Sequence, residues 1–199
     1  MSTKIVLASG SMIRGNILRS VGLEFEVVPA DMDEDSTKKR MRLEGFTSLE
    51  TAQALADLKA CEVSKVHTSP MVIGADQMLE CNGSWFDKPR NLEGARRQLM
   101  ELRGQEHQLL TSVSVAQHGE VVFHHSVNSE LIMRSFSESF LDSYLKLEAE
   151  NVCKSVGGYR IEGVGMQLFT EVKGSYFDIL GLPLLPLLGF LRTKKIVGD

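Results

Sequence analysis

Apolar positions in this chain fall into short blocks whose spacing predicts alternating strands and helices. Residues 4–8 form a run rich in branched side chains, the pattern of a buried strand. Ser9-Gly10-Ser11 interrupts it. Ile13, Ile17, Leu18 and Val21 then recur at helical spacing, and Gly22 supplies a stop. Residues 23–28 alternate, with Leu23, Phe25 and Val27 on one face, and predict a second strand. Residues 31–35 are acidic and read as a loop. Residues 47–63 predict a helix capped by Ser48, with Ala52, Leu55, Ala56 and Ala60 keeping the spacing. Residues 71–75 predict another buried strand, ending in Asp76.

Beyond it, Asn82-Gly83 predicts a tight hairpin turn. Asn91 caps a predicted helix to Leu102, with Gly104 just past its end. Residues 107–116, a turn at His118-Gly119, then 121–123 and 130–133 predict a run of strands. Ser137 caps a helix through Leu147. Residues 166–172 and 177–180 read as strands around a turn at Lys173-Gly174-Ser175, and Pro183 suits the first turn of a last helix. The order is mixed α/β. The strand run over 107–133 disfavours a simple doubly wound sheet. With no repeat, linker or low-complexity segment, residues 1–199 read as a single domain.

Composition narrows the function classes. A net charge of −4 disfavours a non-specific nucleic-acid surface. The apolar stretch 180–191 holds Pro183 and Pro186 and falls well short of a membrane helix. The N-terminal apolar stretch is likewise too short for a secretory signal. Cys61, Cys81 and Cys153 are scattered and odd in number, without a CxxC, which fits a reducing, cytoplasmic setting better than a disulfide framework or structural zinc.

Four constellations carry possible chemistry. Ser9-Gly10-Ser11, followed by Arg14 in the first helical turn, offers hydroxyls, a guanidinium and a helix N-terminus to phosphate oxygens; a plain serine cap explains the same residues without a ligand. Asp76, just past a buried strand, stands where α/β folds place ligands. It can bind a divalent metal or take a proton from water, and it can equally be a turn aspartate. Lys88 in Phe86-Asp87-Lys88-Pro89 can neutralise phosphate charge, or simply be an exposed loop lysine. Asp31, Asp33, Glu34 and Asp35 can help hold Mg²⁺, or be a solvated acidic loop. Residues 157–165 are glycine-rich but lack a dinucleotide-binding frame. Five histidines show no metal-ligand spacing, and no Walker loop or Gly-x-Ser-x-Gly is present.

The order of these pieces is more specific than any one of them. Leu7-Ala-Ser-Gly-Ser11 with Arg14, Asp33-Glu34, Ala56-x-x-Lys59-Ala60, Gly74-Ala-Asp76, Asp87-Lys88-Pro89, Leu102-Arg-Gly104-x-x-His107, Gly158-Tyr159-x-x-Glu162-Gly163, Gly174-Ser175-Tyr176 and Gly181-Leu182-Pro183-Leu184 together resemble the Maf family over nearly the whole chain. The resemblance implies a nucleotide pyrophosphatase cleaving between the α- and β-phosphates of non-standard or pyrimidine nucleoside triphosphates, with Mg²⁺ or Mn²⁺, in the cytoplasm and often as a homodimer. It implies a mixed elongated sheet with flanking helices, two lobes around a cleft, similar to inosine-triphosphate pyrophosphatase folds. By position, Asp76 looks like the catalytic base. Ser9, Ser11, Arg14, Lys59 and Lys88 look like phosphate contacts, and Glu34 and Asp76 like metal ligands. Ile13, Gln77 and Glu162 fall at the positions implied for substrate choice. Gln77 with Glu162 is similar to the branch acting on 7-methyl-GTP rather than dTTP or UTP, and a carboxylate can accept from both N–H groups of the guanine edge.

The chain also departs from the family pattern. Met12-Ile13-Arg14-Gly15 lacks one common arginine, Ile13 matches neither branch, and Ser155 stands where many members carry lysine. The expected chemistry is in-line attack of an Asp76-oriented water at the α-phosphorus, with pyrophosphate leaving. The rival reading is a nucleotide-binding regulator of cell division with weak or no catalysis.

Overall fold

The computed structural model describes residues 5–67 and 71–198; Lys4, expected to begin the first strand, lies outside them. The strands are β1 (Ile5–Leu7), β2 (Phe25–Val27), β3 (Met71–Cys81), β4 (Ser84–Phe86), β5 (Glu106–Gln117), β6 (Glu120–Met133) and β7 (Phe169–Lys173). The helices are α1 (Met12–Ser20), α2 (Glu34–Leu43), α3 (Ser48–Val66), α4 (Leu92–Leu102), α5 (Glu138–Glu148), α6 (Tyr176–Ile179) and α7 (Leu184–Thr193). Among the described residues the strands form one seven-stranded mixed sheet, in the order β2-β1-β3-β5-β6-β7 with β4 paired to β3. β1 runs parallel to β2 and β3, whereas β4 is antiparallel to β3 and β7 to β6.

The chain packs as two compact units. The described residues of Met1–Gln77, Thr111–Val127 and Ser175–Asp199 form the first, and Met78–Leu110 with Asn128–Gly174 the second. In the first unit the two-residue period of the strands sorts side chains onto opposite faces. Ile5, Leu7, Met71, Ile73 and Ala75 join Ile17 and Leu18 of α1 and Leu184, Leu187 and Leu191 of α7 in one core. Val6, Ala8 and Val72 pack instead with Val63 of α3. Asp76 continues the even-numbered set and Gln77 the odd-numbered one. In the second unit Leu99 and Leu102 of α4, Leu131 and Met133 of β6 and Leu141 of α5 are fully buried.

Local signals set most boundaries. The Asn91 side chain accepts from Gly94 N–H at 2.8 Å and Ser137 from Phe140 N–H at 3.2 Å, so both predicted caps form. Asn82 and Gly83 take φ of 50° and 75°, the left-handed pair a two-residue hairpin turn requires. Elsewhere the pattern misled. The acidic stretch 31–35 is no simple loop: Asp33 caps α2, and Glu34 and Asp35 occupy its first turn. Thr47, not Ser48, caps α3, in a reciprocal pair with Glu50, and Ser48 is buried. The strand expected to end at Asp76 runs on to Cys81. Residues 166–168 belong to a 3-10 turn before β7, and 177–180, expected as a strand, fall in the one-turn helix α6 and its cap.

Candidate active site

Six of the expected residues, Ser9, Ser11, Arg14, Glu34, Lys59 and Asp76, converge in the first unit, and the strand register explains how. Parallel pairing of β1 with β3 ends at Leu7 and Ile73, with one further bond from Ala8 N–H to the Ile73 carbonyl. β3 carries on past the end of β1, and Asp76 stands on the extension. A carboxylate beyond the C-terminal end of a parallel pair is in the usual ligand position of such sheets, although it is inside a strand.

Opposite it lies α3. A Cβ on Gly74 would stand 2.3 Å from the Ala56 carbonyl oxygen and 2.7 Å from the Ala60 nitrogen, so only glycine admits the helix this close to β3. One helical turn links Ala56 to Lys59 and Ala60, and Lys59 therefore reaches the same face of the sheet. Its Nζ donates to Asp76 Oδ1 at 2.6 Å and lies 2.9 Å from Glu34 Oε2. Lys59 and Asp76 are only 7% and 5% exposed, which makes this a desolvated pair, while Glu34 is more open. Glu34 comes from the first turn of α2, where the positive helix end favours a carboxylate. Asp76 Oδ2 is buried and has no hydrogen-bond partner.

The first turn of α1 supplies the other side. Ser11 caps the helix by accepting from Arg14 N–H. The Arg14 guanidinium is a tie between segments. Nε donates to the Gly181 carbonyl at 2.8 Å, and Nη1 donates to Ser9 Oγ at 3.0 Å and the Ala75 carbonyl at 2.9 Å. Burial lowers its pKa from the ordinary value, opposed by the nearby charges of Asp76 and Glu34. Arginine starts so far above neutrality that it remains a cation.

The residues implied for substrate choice are placed differently. Ile13 packs against the apolar core of the first unit. The Gln77 amide donates to Thr111 Oγ1 at 2.8 Å and to the Ile179 and Asp178 carbonyls at 3.0 and 3.2 Å, so it is engaged on the face opposite Asp76. Glu162 and Lys88 belong to the second unit. Glu162 Oε1 accepts from Arg160 Nε at 3.0 Å, and Arg160 Nη1 holds the buried Glu148 at 3.0 Å. Lys88 is exposed.

Sequence reasoning missed the carbonyls of Ala75 and Gly181, which carry no side-chain signal. It also missed a polar cluster in which Asp57 accepts from Gln53 and Ser114, and Ser126 joins Gln53 to Ser112. The four-residue spacing of Gln53 and Asp57 and the alternating Ser112 and Ser114 were its available traces.

Comparison with known proteins gives a consistent picture. Residues 4–194 match the family of Maf-like proteins. The chain is 51% identical to a nucleoside triphosphate pyrophosphatase of Granulibacter bethesdensis over 96% of its own length and 98% of that protein's. It is 40% identical to a 7-methyl-GTP pyrophosphatase of Brucella abortus over 99% of both chains. Among solved structures, a nucleoside-triphosphatase, dITP/XTP pyrophosphatase, of Mycobacterium abscessus is similar over 66% of this chain and 74% of that one, with 18% identity and a TM-score of 0.41.

Proposed function

This chain belongs to the Maf-like protein family, and from that membership we propose that it is a nucleoside triphosphate pyrophosphatase, releasing a nucleoside monophosphate and pyrophosphate. The observation that carries the reading is the Asp76–Lys59–Glu34 cluster, with Asp76 and Lys59 buried, beside the Ser11-capped start of α1. A triphosphate concentrates negative charge, and Lys59, the α1 N-terminus with Ser9 and Ser11, and Arg14 concentrate positive charge around Asp76. Among the described residues no helix is long and apolar enough to cross a membrane, and the three cysteines are free thiols, which fits a reducing cytoplasm.

The residues fit a hard divalent cation. Asp76 Oδ2 is a buried carboxylate oxygen without a donor, and Glu34 lies across Lys59 from it. Among the described residues no three His, Cys, Asp or Glu gather, so the protein offers two carboxylates and leaves other positions to water and phosphate oxygens, the usual manner of Mg²⁺ or Mn²⁺ at a nucleotide. When bound, such an ion neutralises phosphate charge and polarises the reacting phosphoryl group. Asp76 orients or deprotonates a water for in-line attack at the α-phosphorus. Lys59 balances charge on the phosphate oxygens as the bond breaks.

For the base, we assign preference to a 7-methyl-GTP-like purine over dTTP or UTP. What supports it is the resemblance of Gln77 with Glu162 to the branch acting on 7-methyl-GTP, together with the 40% identity to a 7-methyl-GTP pyrophosphatase. Incubating the protein with a panel of 7-methyl-GTP, dTTP, UTP and inosine triphosphate, with Mg²⁺ or Mn²⁺, tests both levels. Monophosphate plus pyrophosphate is expected, fastest with 7-methyl-GTP. The Asp76→Asn variant should lose ~10²–10⁴-fold in rate, the usual worth of a positioned base. Near-full turnover by that variant would remove Asp76 from its role, and binding without turnover across the panel would sink the enzyme reading.

A further inference from the structure

We infer that Lys59 is a placeholder for the divalent cation, so that the metal binds productively only together with the triphosphate. The inference rests on the reading of Glu34 and Asp76 as metal ligands and deepens it.

The argument starts from where the ammonium sits. One nitrogen holds both Asp76 and Glu34, at 2.6 and 2.9 Å. Those are contacts a cation bridging Glu34 and Asp76 would itself make. Neutralisation is already complete without metal: Lys59 and the adjacent Arg14 balance Asp76 and Glu34. A dication entering alone therefore adds two uncompensated positive charges to a largely desolvated cluster, and it must displace a short, buried ion pair to reach both oxygens. Among the described residues no group of three or more His, Cys, Asp or Glu could hold it, so it gains little coordination in return.

A triphosphate changes each of these terms. Its oxygens are strong acceptors that can take over the Lys59 ammonium, which pivots on a flexible stem as a point charge. They also bring the negative charge that makes a dication welcome and the oxygen ligands the protein lacks. Lys59 thus switches partners, from Glu34 and Asp76 in the resting protein to phosphate in the loaded one. Asp76 Oδ1 is freed in the same exchange. The resting state is protected from unproductive occupation by metal, and the catalytic carboxylate is released only when substrate is present.

The test is Mn²⁺ binding without any nucleotide, read from the loss of the free-ion electron paramagnetic resonance signal. Wild-type protein should bind Mn²⁺ alone weakly, with Kd above about 10⁻⁴ M, the range of sites poor in ligand charge. Lys59→Met and Lys59→Gln, each checked for native circular dichroism, should bind it at least tenfold more tightly, and adding Asp76→Asn should cancel the gain. A wild-type Kd in the low micromolar range overturns the inference without recourse to any variant. So does unchanged or weaker Mn²⁺ affinity in folded Lys59 variants. No turnover enters the measurement, so a failed panel assay with intact Mn²⁺ competition, or the reverse, separates the functional reading from this one.

Discussion

Arg14 shows how one side chain can tie together the segments around a site. Its planar fork satisfies the Ala75 and Gly181 carbonyls and the Ser9 hydroxyl at once. These acceptors come from β3, the turn before α7 and the segment just after β1, so the guanidinium fixes the strand edge on which Asp76 stands. Lysine has the charge but not the fork, and it can meet at most part of this set. Arg14→Lys is therefore expected to destabilise the protein by about 1–3 kcal/mol, the cost of leaving a buried acceptor unmet. The loss should appear as a lower urea midpoint in the absence of nucleotide. A residue acting purely as a phosphate contact would raise KM and leave that midpoint unchanged.

At the scale of elements, the approach of α3 to β3 decides whether the Lys59–Asp76 pair exists. Gly74→Ala places a methyl group against the backbone of residues 56 and 60, which cannot rotate away. Overpacking of this kind costs about 1–3 kcal/mol, and contact with backbone puts it at the upper end. Lys59 rides on the displaced helix, so turnover should fall further than thermal stability accounts for; a variant that melts several degrees lower with unaltered kcat would contradict this coupling. Thr47→Ala, which opens the reciprocal cap with Glu50, should cost about 1 kcal/mol in urea denaturation and leave kcat close to wild type. These elements also show what a sequence discloses. The caps at Asn91 and Ser137 and the Asn82-Gly83 turn were legible because each rests on a local hydrogen bond or a left-handed backbone. The helix α2 was not, since it buries only Met41 and carries no apolar stripe. Four residues around Phe177 and Ile179 cannot distinguish one helical turn from a strand. For the site, Asp76 and Glu34 stood out from their own local chemistry and Lys59 from the family pattern, but their shared ammonium depends on a helix approach set by Gly74. The engagement of Gln77 depends on carbonyls 101 and 102 residues away, which no local pattern encodes.

At the scale of the molecule, the second unit contains a titratable group that makes stability depend on pH. His107 is 1% exposed, with Nε2 at 2.9 Å from the Tyr159 hydroxyl and its ring among Tyr159 and Phe169. Burial pushes its pKa down from 6.5 to about 4. The folded protein therefore keeps this imidazole neutral where the unfolded chain accepts a proton. Stability from this group is intact above pH 6.5, declines as the pH falls from there toward 4, and changes no further below. The full difference between those limits is about 3 kcal/mol, since a tenfold change in proton affinity is worth roughly 1.4 kcal/mol. Trp85 is the single tryptophan of the chain and lies in β4 of the second unit, so its emission reports unfolding there. Urea titrations followed by Trp85 emission should show the midpoint dropping between pH 7 and pH 4.5 in the wild type. His107→Gln, a polar side chain without a titratable proton in this range, should be less stable at pH 7 and lose less on acidification. Parallel pH profiles for the two proteins would show that other groups govern the acid transition of this unit.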